Sequence, residues 1–150
     1  MKNEILHDPS KIHILDFRII SGEINSPFEF DPDVITGYSF DVDYDMSFNL
    51  VENLVKADFK VDVMALNEHN IETNAKGSFN FVFIFKIDNL DQLTETTEEN
   101  HVTPDSWLAS SLAAITFSTS RGILMTRFQG TALRGFILPV VDPNILLIKT

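Results

Sequence analysis

The sequence predicts an α+β domain in which a four-stranded antiparallel sheet comes first and one long helix follows. Two observations carry this. Four segments between residues 11 and 88 alternate apolar and polar side chains with period two, and residues 103–128 take on helical spacing after a start signal. No helical pattern separates the four extended segments, so parallel neighbours would lack the long crossovers they need. The sheet is therefore antiparallel, and a meander is its simplest topology.

The first strand runs from Lys11 to about Ile24, with Ile, Leu and Phe set among His13, Asp16 and Arg18 and with Gly22 as a candidate bend. The segment NSPFEFDPDV, Asn25 to Val34, holds two prolines and several turn formers and reads as a connection. In the second strand Phe40, Val42, Tyr44, Met46 and Phe48 alternate with Asp41, Asp43, Asp45 and Ser47, giving one apolar face and one carboxylate face. The third, Lys56 to Leu66, alternates Ala57, Phe59, Val61 and Val63 with Asp58, Lys60 and Asp62. After a loop expected over Asn67–Lys76, GSFNFVFIFK sets Phe79, Phe81, Phe83 and Phe85 on one face of a fourth strand. Core under the helix is the commoner fate of such an aromatic wall. One helix must cover four apolar strand faces, however, and the uncovered surplus implies self-association or client binding.

A polar, acidic connection, DNLDQLTETTEENHV, precedes the helix. Thr103 is the expected N-cap, with Pro104 at the first helical position. Leu108, Leu112, Ile115 and Thr119 form the expected apolar stripe, and Trp107 is read as a packing anchor. Gly122 and the β-branched threonines weaken the later turns, so a break near Arg121 fits. The tail GFILPVVDPNILLIKT, interrupted by two prolines, suits a short extended piece and a stub helix.

Composition sets the remaining bounds. The chain has 150 residues, 44% of them hydrophobic, which suits one domain over 1–150 with one core. Its net charge of −11 opposes nucleic acid and an anionic membrane face. The acidity is concentrated in residues 1–105, which carry 21 acidic against 7 basic side chains. No cysteine is present, so disulfides, thiol catalysis and cysteine–zinc sites are excluded. The opening residues lack a signal-peptide core and no run approaches a membrane span, so a cytoplasmic location is expected.

Asp41, Asp43, Asp45, Ser47, Asn49 and Glu52 match the ligand spacing of a calcium loop, but Met46 stands where the turn needs glycine, and a solvated strand face is the better reading. His7, His13, His69 and His101 lack ligand spacing, and no glycine-framed nucleophile or phosphate loop accompanies Ser118, Ser120 or Arg121. No metal, no cofactor and no catalytic residues are expected; the chain does not read as an enzyme.

The run TFSTSRGILMTRFQGTALRGFILPVVDPNILL resembles the closing segment of the SecB-like export chaperones, through Arg121–Gly122, Gly130–Thr131, Leu138–Pro139 and Asp142–Pro143. Strand order, acidity and size agree along nearly the whole chain. The resemblance implies a four-stranded sheet with a long helix and a short C-terminal helix on one face, assembled as a dimer of dimers. It also implies an ATP-independent holdase that grips non-native polypeptides on apolar surface. The residues expected to contribute that surface are Phe79, Phe81, Phe83, Phe85, Trp107, Leu108, Leu112 and Ile115. In the family, acids of the first strand dock the motor SecA; here Glu23 matches and Ile19 does not. SecA and an antitoxin are thus both implied partners, with roles in export or beside a toxin–antitoxin pair. The other reading is an interaction protein that holds one specific partner through the acidic face of Glu23, Asp41, Asp43 and Asp45.

Overall fold

The computed structural model describes residues 5–148. Its strands are β1 (Ile12–Asn25), β2 (Ile35–Asn49), β3 (Leu54–Asn67), β4 (Glu72–Ile87), β5 (Thr94–Thr96) and β6 (Val102–Pro104), followed by helix α1 (Ser106–Arg127). The first four make one antiparallel sheet in the order β1-β4-β3-β2, so β2, β3 and β4 form the meander and β1 extends it on the β4 side. The connection over 26–34 makes this placement feasible. It must pass two strands, about 14 Å at the usual strand spacing, and nine residues reach roughly twice that.

Asparagines make the tight turns. Asn53, Asn70 and Asn100 each take positive φ, near 60°, a conformation asparagine tolerates better than most side-chain-bearing residues. Asn49 Oδ1 accepts from the Glu52 amide at 3.1 Å, and Asn67 Oδ1 accepts from the His69 and Ile71 amides at 2.9 and 3.1 Å. The β3–β4 turn thereby closes within four residues, and β4 starts at Glu72, well before the end of the loop expected over Asn67–Lys76.

The helix begins later than its sequence signals suggest. Thr103 and Pro104 pair with Glu95 and Thr94 as part of a two-stranded ribbon, so neither caps the helix. Asp105 does: its Oδ2 accepts from the amides of Trp107 and Leu108 at 2.9 and 3.3 Å. The helix then runs unbroken past Arg121 to Arg127. Its buried stripe follows Leu108, Leu112, Thr116, Ser120 and Leu124, while Ile115 is half-buried and Thr119 exposed. A helix lying along its i, i+4 ridge buries that series, and the expected stripe drifted off it by one position.

After the helix the chain turns at Gly130, whose φ is 77°, and returns antiparallel to α1. Arg121 ties this return segment down: Nε donates to the Leu138 carbonyl at 2.7 Å and an Nη to that of Pro139 at 3.1 Å. The expected stub helix is a five-residue 3-10 turn, Pro143–Leu147, held where Ser110 Oγ donates to Asn144 Oδ1 at 2.6 Å. The core lies between α1 with its return segment and the apolar faces of β3 and β4. No helix among the described residues is long and apolar enough to cross a membrane.

Candidate functional site

The phenylalanine wall is core. Phe79, Phe81, Phe83 and Phe85 are 5, 1, 1 and 0% exposed on the helix-facing side of β4. Phe128 meets Phe79 edge-on at 5.8 Å, and Phe117 meets Phe59 on the neighbouring strand in the same way. Gly77 continues the row because a Cβ there would stand 3.0 Å from Phe128 and 3.1 Å from Leu133. Leu108 and Leu112 are buried with the wall; Trp107 and Ile115 lie at its half-exposed margin. The expected client-binding residues are therefore brought together, but the helix shields most of them from any other chain.

Accessible apolar surface gathers instead at two margins. The first joins the 26–34 connection, β2 and the return segment. Phe28 is fully exposed, Val34, Phe40, Ile137 and Val140 are 40, 36, 55 and 88% exposed, and Tyr38 is half-buried. The parts are fixed to one another: the Ala132 amide donates to Ser26 Oγ at 2.9 Å, and Phe136 packs against both Tyr38 and Phe40, at 5.5 and 5.8 Å. A groove of about 510 Å³ opens here between Pro32–Tyr38 and Ala132–Gly135. The second margin is β1, where Ile14, Leu15 and Ile20 are exposed, together with a groove walled by Phe17, Ile19, Gly122 and Ile123. The helix covers β3 and β4 and leaves this flank open, in keeping with an expected surplus of apolar surface.

The opposite face of the sheet is mostly polar and acidic, with Ile20 and Val82 set among its carboxylates. Cross-strand pairing lines up Glu23, Ser78, Asp62 and Asp41 in one row across all four strands, and Ser78 Oγ donates to Asp62 Oδ1 at 2.6 Å. Asp43 faces Lys60 in the next row and Asp45 faces Asp58 in the one after. Asp41–Asp62 and Asp45–Asp58 are thus like-charge neighbours, a destabilising arrangement moderated by Lys56 and Lys60 on β3, whose amines lie 3.7 and 3.9 Å from Asp58 and Asp62. The calcium-like spacing runs along this extended strand, which carries Asp41, Asp43 and Asp45 successively about 7 Å apart and prevents their convergence on one ion. Among the described residues no group of three or more histidines and carboxylates is placed to hold a metal.

One arrangement had no signal in the sequence. His7 stacks on Trp107 at 4.9 Å with nearly parallel rings, and its Nε2 lies 3.1 Å from Asp105 Oδ2, the oxygen that caps α1. Asn89 adds a hydrogen bond from Nδ2 to the Leu6 carbonyl at 3.0 Å. The N-terminal segment is thereby strapped to the start of the helix, with His7 and Asp105 98 positions apart in the sequence and no local pattern to join them.

A four-stranded antiparallel sheet covered on one face by a long helix and its extended return segment is the SecB-like chaperone fold. The Mycobacterium tuberculosis SecB-like chaperone Rv1957, in complex with a ChAD peptide from the HigA1 antitoxin Rv1956, matches 88% of this chain and 91% of its own, with a TM-score of 0.55 and 14% identity. At that identity the likeness is one of fold. No protein-family model matches the sequence, and no curated protein matches it significantly.

Proposed function

We propose that this protein holds non-native polypeptide, without nucleotide, on the apolar margin formed by the 26–34 connection, β2 and the return segment. The observation that carries the proposal is that the three segments framing the groove each expose apolar side chains: Phe28 and Val34 on the connection, Phe40 on β2, and Ile137 and Val140 on the return segment. Apolar and aromatic side chains without a matching rigid partner attract unfolded segments with little sequence selectivity, and the net charge of −11 keeps a loaded complex soluble. The SecB-like neighbour was solved with an antitoxin peptide, which makes a peptide of that kind one candidate client here; an export substrate is another. This role belongs in the cytoplasm and uses no catalytic residue. Substoichiometric to stoichiometric amounts should suppress aggregation of several unrelated unfolded proteins in the absence of ATP. Protection of none of them would remove the proposal.

The open flank of β1 supports self-association as part of the same reading, as a dimer or a dimer of dimers. Light scattering that gave a monomer across micromolar concentrations would exclude it. A second reading, recognition of one specific basic partner such as a segment of SecA, is favoured by the Glu23–Ser78–Asp62–Asp41 row and its groove of about 390 Å³. It predicts binding that collapses with added salt and with Asp41→Asn, whereas apolar holding survives both.

A further inference from the structure

The start of α1 carries a set of side chains that helix capping does not account for. Asp105 supplies the cap, but beside its carboxylate stand the indole of Trp107 and the amide of Asn89, and all three meet residues 6 and 7. The His7 ring lies over the indole with an interplanar angle of 16°, its Nε2 is 3.1 Å from Asp105 Oδ2, and the Leu6 carbonyl accepts from Asn89 Nδ2. One side chain and one backbone group are thus held, each by a side chain of the folded domain.

The two sides of this contact differ in how firmly they are fixed. Asn89 is 6% exposed and Trp107 packs against the core, whereas none of residues 5–11 is buried and Ile5 and Leu6 are exposed. A stacked ring and two hydrogen bonds are of the same order as the entropy lost in ordering such a segment, so its local opening lies far below global unfolding. A firm site is filled by a loosely held occupant.

We propose that Trp107, Asp105 and Asn89 form a recognition site for an extended polypeptide segment bearing arginine, and that residues 5–7 occupy it in cis as a built-in competitor. An indole face next to a carboxylate suits a planar cation: a guanidinium stacks on the ring while its N–H groups meet the carboxylate. His7 imitates that arrangement with a smaller ring that is charged only when protonated. The Asn89 amide reads a main-chain carbonyl, which every segment has, and the neighbouring side chains go unread, as Ile5 and Leu6 do here. The site is separate from the apolar margin and does not depend on the function proposed for it.

Trp107 is the one tryptophan of the chain, so its emission reports the site directly. The probe is the capped tetrapeptide Ile-Leu-Arg-Asp, the sequence of residues 5–8 with arginine in place of histidine. Its control carries citrulline, whose neutral urea keeps the shape of the guanidinium. The full-length His7→Ala protein should bind the arginine peptide saturably, and at least about tenfold more tightly than the citrulline peptide. The wild type should need about tenfold more peptide, because its own segment must leave first. Asparagine caps helices as well as aspartate does, so Asp105→Asn added to His7→Ala should keep the melting temperature and weaken the arginine peptide about tenfold. Absence of a saturable change with His7→Ala, equal affinity for both peptides, affinity untouched by Asp105→Asn, or wild-type binding as tight as that of His7→Ala would each overturn the proposal. So would loss of tetrapeptide binding when Phe28→Ser/Val140→Ser is added to His7→Ala, since that would place the peptide at the margin. Saturable tetrapeptide binding by a protein that protects no unfolded client would leave this site standing and count against the holding function instead.

Discussion

β4 and β1 lie side by side through twelve paired positions and draw on similar apolar residues, yet seven of the sixteen residues of β4 are buried and none of the fourteen of β1 is. The difference comes from what lies above them. β4 sits under α1 and the return segment, whereas β1 is an edge strand that the helix only partly covers, with a groove left between Phe17 and Ile19 and the Gly122–Ile123 turn of α1, and it is bent by two register shifts between Ile14 and Ser21. Apolar side chains in the two strands therefore serve different ends: those of β4 hold the chain together, and those of β1, with the Phe28–Val140 margin on the opposite side, are available to other chains. Hydrophobic content alone would have assigned them one role.

Phe83 and Phe17 make the comparison direct, because the two rings touch across the strand pair at 4.9 Å. Phe83→Ala empties a fully buried site and should cost about 3–5 kcal/mol in urea unfolding. Phe17→Ala, at the half-exposed edge, should cost about 1–2 kcal/mol when the protein is dilute. If copies associate through the β1 flank, the second loss grows with protein concentration and the first does not, which sharpens the contrast between a core ring and a surface one. Equal losses at all concentrations would mean that β1 is as much core as β4. The smallest effect is expected on the acidic face: Asp41→Asn relieves its repulsion with Asp62 and should stabilise by about 0.2–1 kcal/mol, a gain that shrinks with added salt.

The sheet was legible where one face is dry and the other wet. In β2, β3 and β4 the alternation of Phe40 to Phe48, Ala57 to Val63 and Phe79 to Phe85 reports directly which side chains share a face, and the structure keeps them so. Strand order was not legible, since it depends on where the 26–34 connection crosses, and nothing local encodes that. The helix start was misplaced for a similar reason: Thr103-Pro104 has the local chemistry of a cap, and a pairing with Thr94 and Glu95 overrode it. The exposed margin was missed because Phe28 and Val34 sit among turn formers and follow no period. Only after folding does their connection meet the return segment, where the Ala132 amide donates to Ser26 Oγ. His7 against Trp107 depends wholly on tertiary placement, so no sequence pattern announced it.

The claim that clients are held at the margin rests on Phe28 and Val140, which are exposed enough to be changed without disturbing the core. The most direct measurement is the affinity of a labelled, permanently unfolded polypeptide for the wild-type protein and for a Phe28→Ser/Val140→Ser variant. Both proteins should unfold at the same urea concentration, and the variant should bind at least about tenfold more weakly, as loss of two well-exposed apolar contacts requires. Unchanged affinity in an equally stable variant would contradict the account.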